Sequence, residues 1–364
     1  MNRHHVHRQR GAPPPGFTLV EMLVTVTIIG ILAAIGMAAM AVSRSAAREA
    51  ATKATIAKLH NIIMAKYESY RTRRVPISTT GMTPLAAATA RLFALRDLMR
   101  MEMPERVTDI FNLDSDGNLA SVRAPVAAGL TCPTLFASYA ARAVSPWASS
   151  DGRTQSQAEC LYMIASMACG PDAMRHFGAN EVGDSNANGI PEFLDGWGHP
   201  IRFLRWASAF NDSNLQGNIN MFDDGDLTQP RYRIIEQRDL DDYTVAGNEG
   251  DLWTNGDNKD FAHVLASRQF AAQNDHDPFD PQRISMVQSP SKDALPRGWR
   301  LVPLIYSAGA DGQYGITAEY GDGSTYSWMG ADDHYLAYFG MPTRNADGAW
   351  VHFDNIHNHR MEMR

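Results

Sequence analysis

The longest apolar stretch of the chain lies near its amino terminus. Residues 22–42 carry no charged side chain and consist mainly of aliphatic residues. A helix rises by about 1.5 Å per residue, so a helix of this length spans about 30 Å, the thickness of a bilayer hydrocarbon core. The pattern predicts a helix that can cross a membrane.

The sequence behind this stretch predicts that the same helix continues into water. Residues 43–73 contain neither proline nor glycine and are rich in alanine, lysine and arginine. Apolar side chains recur there at spacings of three and four residues and form one stripe, at Ile56, Leu59, Ile63, Tyr67 and Tyr70. We expect this stripe to pack on a globular region. A coiled coil is the alternative, but the alanine-rich segment 46–57 lacks sustained heptads.

The character of the chain changes at about residue 180. Residues 74–179 predict helices and loops, with one helix ending near Arg100 and another, within 154–177, interrupted by glycine and proline. Later residues are acidic, glycine-rich and aromatic, and short strand candidates alternate with turn-rich loops, at 200–206, 232–235, 301–307 and 335–339. The polar segment 211–296 predicts a long insertion with little regular structure.

Together these patterns predict an α+β fold, in which a long amino-terminal helix packs on an antiparallel β-sheet head with large loop insertions. The expected parts are a transmembrane helix, its amphipathic continuation, a helical and loop region, and a β-rich acidic head, at 17–42, 43–73, 74–179 and 180–364. The remaining residues, 1–16, precede the helix.

A carboxylate, Glu21, stands directly before the apolar run. An unpaired charge at membrane depth costs from about 2.5 kcal/mol upward, so Glu21 is expected to have a partner. The preceding head carries three arginines and no acid, and it ends in Gly16. A secretory signal peptide or a plain signal anchor is the alternative. However, the apolar region of a signal peptide normally has only about 7–15 residues, and Glu21 suits neither alternative.

The chain resembles the class III leader of type IV prepilins and type II secretion pseudopilins, in the run GFTLVE at 16–21 and the sequence MLVTVTIIGILAA behind it. This resemblance implies that 1–16 is a leader, and that a prepilin peptidase cuts after Gly16 and methylates the new amino terminus on Phe17. Glu21 would then pair with the amino terminus of an adjacent subunit. Many members carry a proline within the helix where this chain has Gly36 and its neighbours.

The resemblance also implies a location and a set of partners. The expected location is the bacterial inner membrane, crossed once, with the head in the periplasm or on an extracellular filament. The expected partners are prepilin peptidase, other pilin or pseudopilin subunits, and the assembly platform of a secretion system. The size of the chain and the insertion at 211–296 favour an accessory or tip role. The alternative is a minor type IV pilin that acts as an adhesin or ligand-binding surface protein.

The loop at 184–195 has the spacing of calcium ligands. Its oxygen-bearing side chains and one backbone carbonyl fall at the ligand positions of an EF-hand-like loop, with glycine at position six, and they belong to Asp184, Asn186, Asn188, Ile190, Glu192 and Asp195. Two neutral asparagines and a short final carboxylate predict a weak site, with a dissociation constant of about 0.1–1 mM. The alternative is a turn whose side chains bond their own backbone.

Two later segments, DGWGHPI at 195–201 and SAGADGQYG at 307–315, resemble the carboxy-terminal half of the major pseudopilin of type II secretion. This resemblance implies a second calcium site, with Asp311 and the downstream acids Asp332 and Asp333 as ligands. The separation between the two segments is far longer than the family's short spacing.

Composition narrows the function further. A chain of 364 residues with 44% hydrophobic residues can build a sizeable core, and its net charge of −7, with the acids concentrated after residue 180, argues against nucleic acid as a partner. The three cysteines, Cys132, Cys160 and Cys169, allow one disulfide or buried free thiols. The twelve histidines lack the H-E-x-x-H spacing, and nucleotide-binding and hydrolase motifs are absent from the sequence. We therefore expect no enzyme and no organic cofactor.

Overall fold

The computed structural model describes residues 18–207, 210, 212–215, 277–281, 300–316, 340, 343 and 351–360. Several predicted features lie outside the described residues: the leader, Gly16 and Phe17, the strand candidates at 232–235 and 335–339, and most of the insertion. The chain divides into two compact units, Met1–Ala47 and Arg48–Arg364.

A single helix, α1, spans Leu19–Ser69 and contributes to both units. In the first unit every described residue is exposed, and the helix is long and apolar enough to cross a membrane. In the second unit the helix turns one face into the core, burying Ile56, Leu59, Ile63 and Tyr67. The predicted long amino-terminal helix and its apolar stripe are therefore confirmed.

The second unit adds a set of mostly short helices. Thr83 caps helix α2, because its Oγ1 accepts a hydrogen bond from the backbone N–H of Ala86 at 3.3 Å. The helix itself starts with a proline, which suits a first turn. The helices are α2 at Pro84–Glu102, α3 at Val107–Ile110, α4 at Thr134–Ala143, α5 at Ser156–Met163 and α6 at Pro171–Met174. Helix α5 continues as a π-helical turn over Ile164–Ala168.

The described strands form three antiparallel pairs. Strand β1, Phe111–Leu113, pairs with β2, Leu119–Val122, and β3, Val182–Gly183, pairs with β4, Glu192–Phe193. The third pair joins β5, Arg202–Leu204, to β6, Leu304–Tyr306, with Phe203 opposite Ile305. The α+β class predicted from the sequence is confirmed.

One hydrophobic core joins the buried face of α1 to α2, α4, α5 and the strands β4 to β6. Its largest fully buried aromatic side chains include Trp147, Tyr67, Phe136, Phe193 and Phe203. The Tyr67 ring meets the ring of Phe279 edge-on, with 4.9 Å between the centroids. The second half of α1 is thus a structural element of the head.

Charged groups fasten α2 to its neighbours. The carboxylate of Glu102, which is almost fully buried, accepts hydrogen bonds from Lys66 Nζ at 2.7 Å, Tyr70 Oη at 2.8 Å and Arg73 at 2.5 Å. This cluster, the Glu102 clamp, ties the carboxyl end of α2 to the end of α1 and to the short 3-10 turn after it.

A second charged cluster lies deeper in the head. The Arg205 guanidinium bonds the carbonyl of Met103 at 2.6 Å and the Asp109 carboxylate at 3.2 Å, and all three residues are buried. Burial alone would raise the pKa of Asp109, but the guanidinium groups of Arg205, Arg106 and Arg100 hold this pKa below its usual range. The β5 strand is therefore fixed to the segment between α2 and α3.

Candidate functional site

The first described residues form a capping box at the start of α1. The backbone N–H and the hydroxyl of Thr18 both donate to Glu21 Oε2 at 2.9 Å, and the backbone N–H of Glu21 donates to Thr18 Oγ1 at 3.2 Å. This reciprocal pair satisfies N–H groups that lack a partner inside the helix, and it places the first helical residue at Leu19.

The capping box also explains how the isolated chain accommodates the Glu21 charge. The carboxylate lies in the first turn of α1, where the helix dipole favours a negative charge, and Thr18 supplies two donors. Behind it the apolar side chains of the first unit are exposed, with Leu19 at 81% and Ile35 at 61% of their full accessible area. Such a surface suits lipid or other apolar helices.

In the loop at 184–195 the described side chains bond mainly to the loop's own backbone. The two carboxylate oxygens of Asp184 accept hydrogen bonds from the N–H groups of Asn188 at 3.1 Å and Gly189 at 2.8 Å. The side-chain oxygen of Asn188 accepts from the N–H of Ile190 at 2.8 Å. Gly189 takes a left-handed φ of 95°, which closes the turn.

A glutamate outside the loop anchors it to α5. Oε1 of Glu159 accepts hydrogen bonds from the side-chain amides of Asn186 at 2.9 Å and Asn188 at 2.8 Å, and Oε2 accepts from the Trp147 indole. Burial raises the pKa of Glu159. Sequence reasoning missed this residue, because its place beside the loop depends on the packing of α5.

Two further candidate ligands of the loop face different partners. The Glu192 carboxylate accepts from the N–H of Ser185 at 2.9 Å, and burial, together with the charges of Glu159 and Asp184, raises its pKa to about 7. Asp195 instead fixes the next turn, where its Oδ2 accepts from the Ser307 hydroxyl at 2.6 Å. The structure thus brings Asp184, Glu192 and Glu159 into one neighbourhood, while Asp195 bonds elsewhere.

The predicted site at Asp311 is described only in part, because Asp332 and Asp333 lie outside the described residues. Asp311 Oδ1 accepts from the N–H of Gln313 at 2.8 Å, and the N–H of Asp311 donates to Asp354 Oδ2 at 3.0 Å. Sequence reasoning did not anticipate Asp354. Among the described residues no group of three His, Cys, Asp or Glu side chains is arranged to hold a metal ion. Calcium binding remains a prediction.

The three cysteines are free thiols, of which Cys132 is exposed and Cys160 is buried. Burial raises the pKa of the Cys160 thiol well above its usual value, so this side chain acts as a small apolar group of the core. Of the two interpretations that the sequence left open, the structure matches a buried free thiol at Cys160, whereas Cys132 is exposed and Cys169 is partly buried.

Comparison with known proteins identifies the amino-terminal segment. Residues 15–37 match the family described as the prokaryotic N-terminal methylation motif. No curated protein and no solved structure matches the chain significantly. The match includes Gly16, Phe17, Thr18 and Glu21, so the predicted motif is confirmed. It covers a short part of the chain, and the head beyond it is described by its structure alone.

Proposed function

We propose that this chain, which carries the prokaryotic N-terminal methylation motif of pilin-type precursors, is a structural subunit of a type II secretion or type IV pilus-like filament. The observation that carries the proposal is the motif match at 15–37, followed directly by a helix long enough to cross a membrane. The second half of that helix supports the same interpretation, because it forms part of the core of the head.

Processing comes first in this function. A prepilin peptidase cuts after Gly16 and methylates the amino group of Phe17. Mass spectrometry of the membrane-extracted protein is expected to find N-methylated Phe17 as the first residue. Glycine at position 16 lets the peptidase approach the scissile bond, so Gly16→Val should retain the leader, whereas Gly11→Val, within the leader, should not. An intact Met1 in the unaltered protein, or a cut near Ala41, would refute the proposal.

In the membrane, the helix anchors the subunit with its head in the periplasm until the assembly platform inserts it into a filament. Added protease should digest the head in spheroplasts, where the periplasmic face is open, but not in intact cells. Digestion only after the inner membrane is broken would place the head in the cytoplasm instead.

Within this class we propose an accessory or tip subunit of a secretion filament. The insertion at 211–296 supports this role, because a subunit repeated many times in a helical filament is usually compact. Deleting the gene should then reduce the proteins released into the medium. If secretion is unchanged and attachment to surfaces is lost, the chain is a minor pilin that acts as an adhesin.

A further inference from the structure

Strand β6 and the carboxy-terminal segment contact α1 at successive positions along the helix. The Tyr67 hydroxyl donates to the carbonyl of Leu301 at 3.2 Å. Nearer the amino end of the helix, His60 Nδ1 lies 2.9 Å from Asn358 Nδ2, and Oδ1 of Asn358 accepts from the N–H of Ile305. Strand β6 therefore runs antiparallel to α1, towards Arg48.

The next contacts lie at the beginning of the second unit. The N–H of Gly196 donates to Thr52 Oγ1 at 2.8 Å, and a Cβ on Gly196 would meet the carbonyl oxygen of Arg48 at 2.4 Å. Only glycine fits this approach. Asp195, the residue before it, accepts from Ser307, which directly follows β6. The end of β6 thus reaches the level of residues 48–52 on the helix.

Beyond β6, two turns lie together. The N–H of Asp311 donates to Asp354 Oδ2, and a Cβ on Gly309 would meet the carbonyl oxygen of Asp354 at 2.4 Å. On the other side, a Cβ on Gly312 would meet the ring of His199 at 3.2 Å, close to the Gly196 contact. The turns at 309–312 and 353–354 therefore occupy the Arg48 end of the second unit.

An exposed aromatic ring stands on one of these turns. Phe353 has 59% of its area accessible, and among the described residues it is the only exposed phenylalanine, tyrosine or tryptophan. Its neighbour His352 is buried, and the two rings lie 4.5 Å apart between centroids. More than half of the area of Phe353 is therefore accessible, beside a buried neighbour in the same turn.

Chain length limits how far this end can be from a membrane. Arg48 follows Val42, the last residue of the uncharged run, by six residues. These span about 9 Å as a helix and at most about 22 Å fully extended. The headgroup layer outside the hydrocarbon core is itself about 5–8 Å thick. Because α1 is helical through these residues, the helical figure applies. With Val42 at the edge of the hydrocarbon core, Arg48 then lies about 9 Å farther along the helix, near the outer edge of the headgroup layer.

We propose that Phe353 enters the interfacial layer of the bilayer that holds the apolar run, so that the head rests on the membrane before assembly. Aromatic side chains favour this layer. The nearby exposed acids, Asp311 and Asp354, would be repelled by anionic lipid, so the ring supplies the attraction and anionic lipid is not required. The inference rests on the proposed membrane anchoring of the chain.

A nitroxide label at position 353 tests this contact in the full chain. Cys132→Ser and Cys169→Ser remove the accessible thiols, and Phe353→Cys then carries the label in vesicles of phosphatidylcholine, with and without phosphatidylglycerol. Val122→Cys is the matched control, because Val122 is 49% exposed on β2. The N–H of the neighbouring Arg123 donates to the carbonyl of Ile110 in α3. Helix α3 bonds α2 through Arg100, and the end of α2 bonds Lys66, well along α1 from Arg48. A third label, Ile35→Cys, reports on the anchor.

The expected result is that the label at 353 collides more with membrane-soluble oxygen than with a water-soluble nickel chelate, equally in both lipid mixtures, while the label at 122 shows the reverse. A label at 353 that behaves like the label at 122 would overturn the inference. So would an immobile label that neither reagent reaches, which would indicate packing against another protein chain. If the label at 35 also faces water, the proposed membrane anchoring itself fails.

Discussion

At the scale of single residues, the charge on Glu21 and its hydrogen bonds to Thr18 have separable roles. The capping box fixes the start of α1. In the proposed function, the charge would pair with the amino terminus that processing frees on a neighbouring subunit. Pairing there would remove the cost of an isolated charge at the membrane edge. The two roles predict different behaviour in conservative variants.

Glu21→Gln keeps an oxygen that accepts from Thr18 but removes the charge. We expect this variant, like Glu21→Leu, to insert stably in the membrane and to enter filaments poorly. Thr18→Ser, which keeps the hydroxyl, should assemble normally, and Thr18→Ala should weaken the helix start by about 0.5–2 kcal/mol. Crosslinking of membrane and filament fractions measures the outcome. Normal assembly of Glu21→Gln would mean that capping, and not charge, is what assembly needs.

The sequence predicted residues well where function follows from local spacing. Glu21 and the apolar run could be found from the order of residues alone, and the T-x-x-E spacing that marks Thr18 as a cap was equally visible but was missed. Glu159 and Asp354 could not be found in this way. Their partners lie far along the chain, so their roles depend on how α5 and the carboxy-terminal segment pack.

At the scale of elements, the Glu102 clamp is the main polar connection between α1 and α2. Glu102 is 4% exposed and Lys66 is mostly buried. A glutamine in its place keeps one accepting oxygen, but it removes the charge that the Lys66 ammonium faces, and its amide nitrogen cannot accept where the second carboxylate oxygen did. We expect Glu102→Gln to lower the free energy of unfolding by about 2 kcal/mol or more. Urea unfolding of the detergent-solubilised chain measures this.

The matched control for the clamp is Glu68→Gln. Its carboxylate pairs with Arg71 at 3.1 Å, but both side chains are substantially exposed, so the pair is screened by water. Its loss should cost less than about 1 kcal/mol. If both substitutions lower the unfolding free energy equally, burial does not strengthen the Glu102 clamp.

The β4 strand carries a pH-dependent element of stability. Because the pKa of Glu192 is raised to about 7 in the folded chain, from an ordinary value of 4.5, this group favours folding most below pH 4.5 and loses that contribution as the pH rises through 7. The slope reaches roughly 1.4 kcal/mol per pH unit between these values. Glu192→Gln, which resembles the protonated acid, should therefore remove this pH dependence of the unfolding free energy.

Glu181→Gln is the control, because the pKa of Glu181 is shifted in the opposite direction to that of Glu192. Burial alone would raise the pKa of Glu181, but the hydrogen bonds from Lys58, Thr55 and Gly178 hold it below 4.5. Its contribution is therefore present above pH 4.5 and is lost as the pH falls through the lowered value. Unfolding free energies measured from about pH 2 to 8 cover both windows and separate the two variants. Unchanged slopes in both would contradict the assignment.

Elements were predicted in proportion to their length and regularity. The long helix, its buried stripe and the strands at 202–204 and 304–306 follow directly from apolar spacing. The β1–β2 hairpin was not predicted, because strands of three and four residues contain too few positions for alternation to show. Helix α4 was not predicted either, although its ten residues are long enough for an apolar face. The π-helical turn after Met163 has no sequence signal that we recognise.

At the scale of the whole molecule, calcium is expected to act on the stability of the folded head. Burial raises the pKa values of Glu159 and Glu192, and the charge of Asp184 adds to both shifts. A cation bound beside these carboxylates would offset the cost of ionising the two glutamates. A ligand that binds only the folded state stabilises it by RT ln(1 + [L]/Kd), which is about 1.4 kcal/mol at ten times the dissociation constant. Even a weak site would therefore be measurable.

We expect the full chain in detergent to melt several degrees higher in millimolar calcium than with chelator. Asp184→Asn or Asp311→Asn should each lose part of this gain, because a neutral amide binds a hard cation less strongly than a carboxylate. Asp116→Asn, in the exposed β1–β2 turn, is the matched control and should lose none. Melting that is the same with calcium, magnesium and chelator would mean that both acidic loops are turns held by their own side-chain hydrogen bonds. A gain that all three variants keep would instead place the cation elsewhere in the chain.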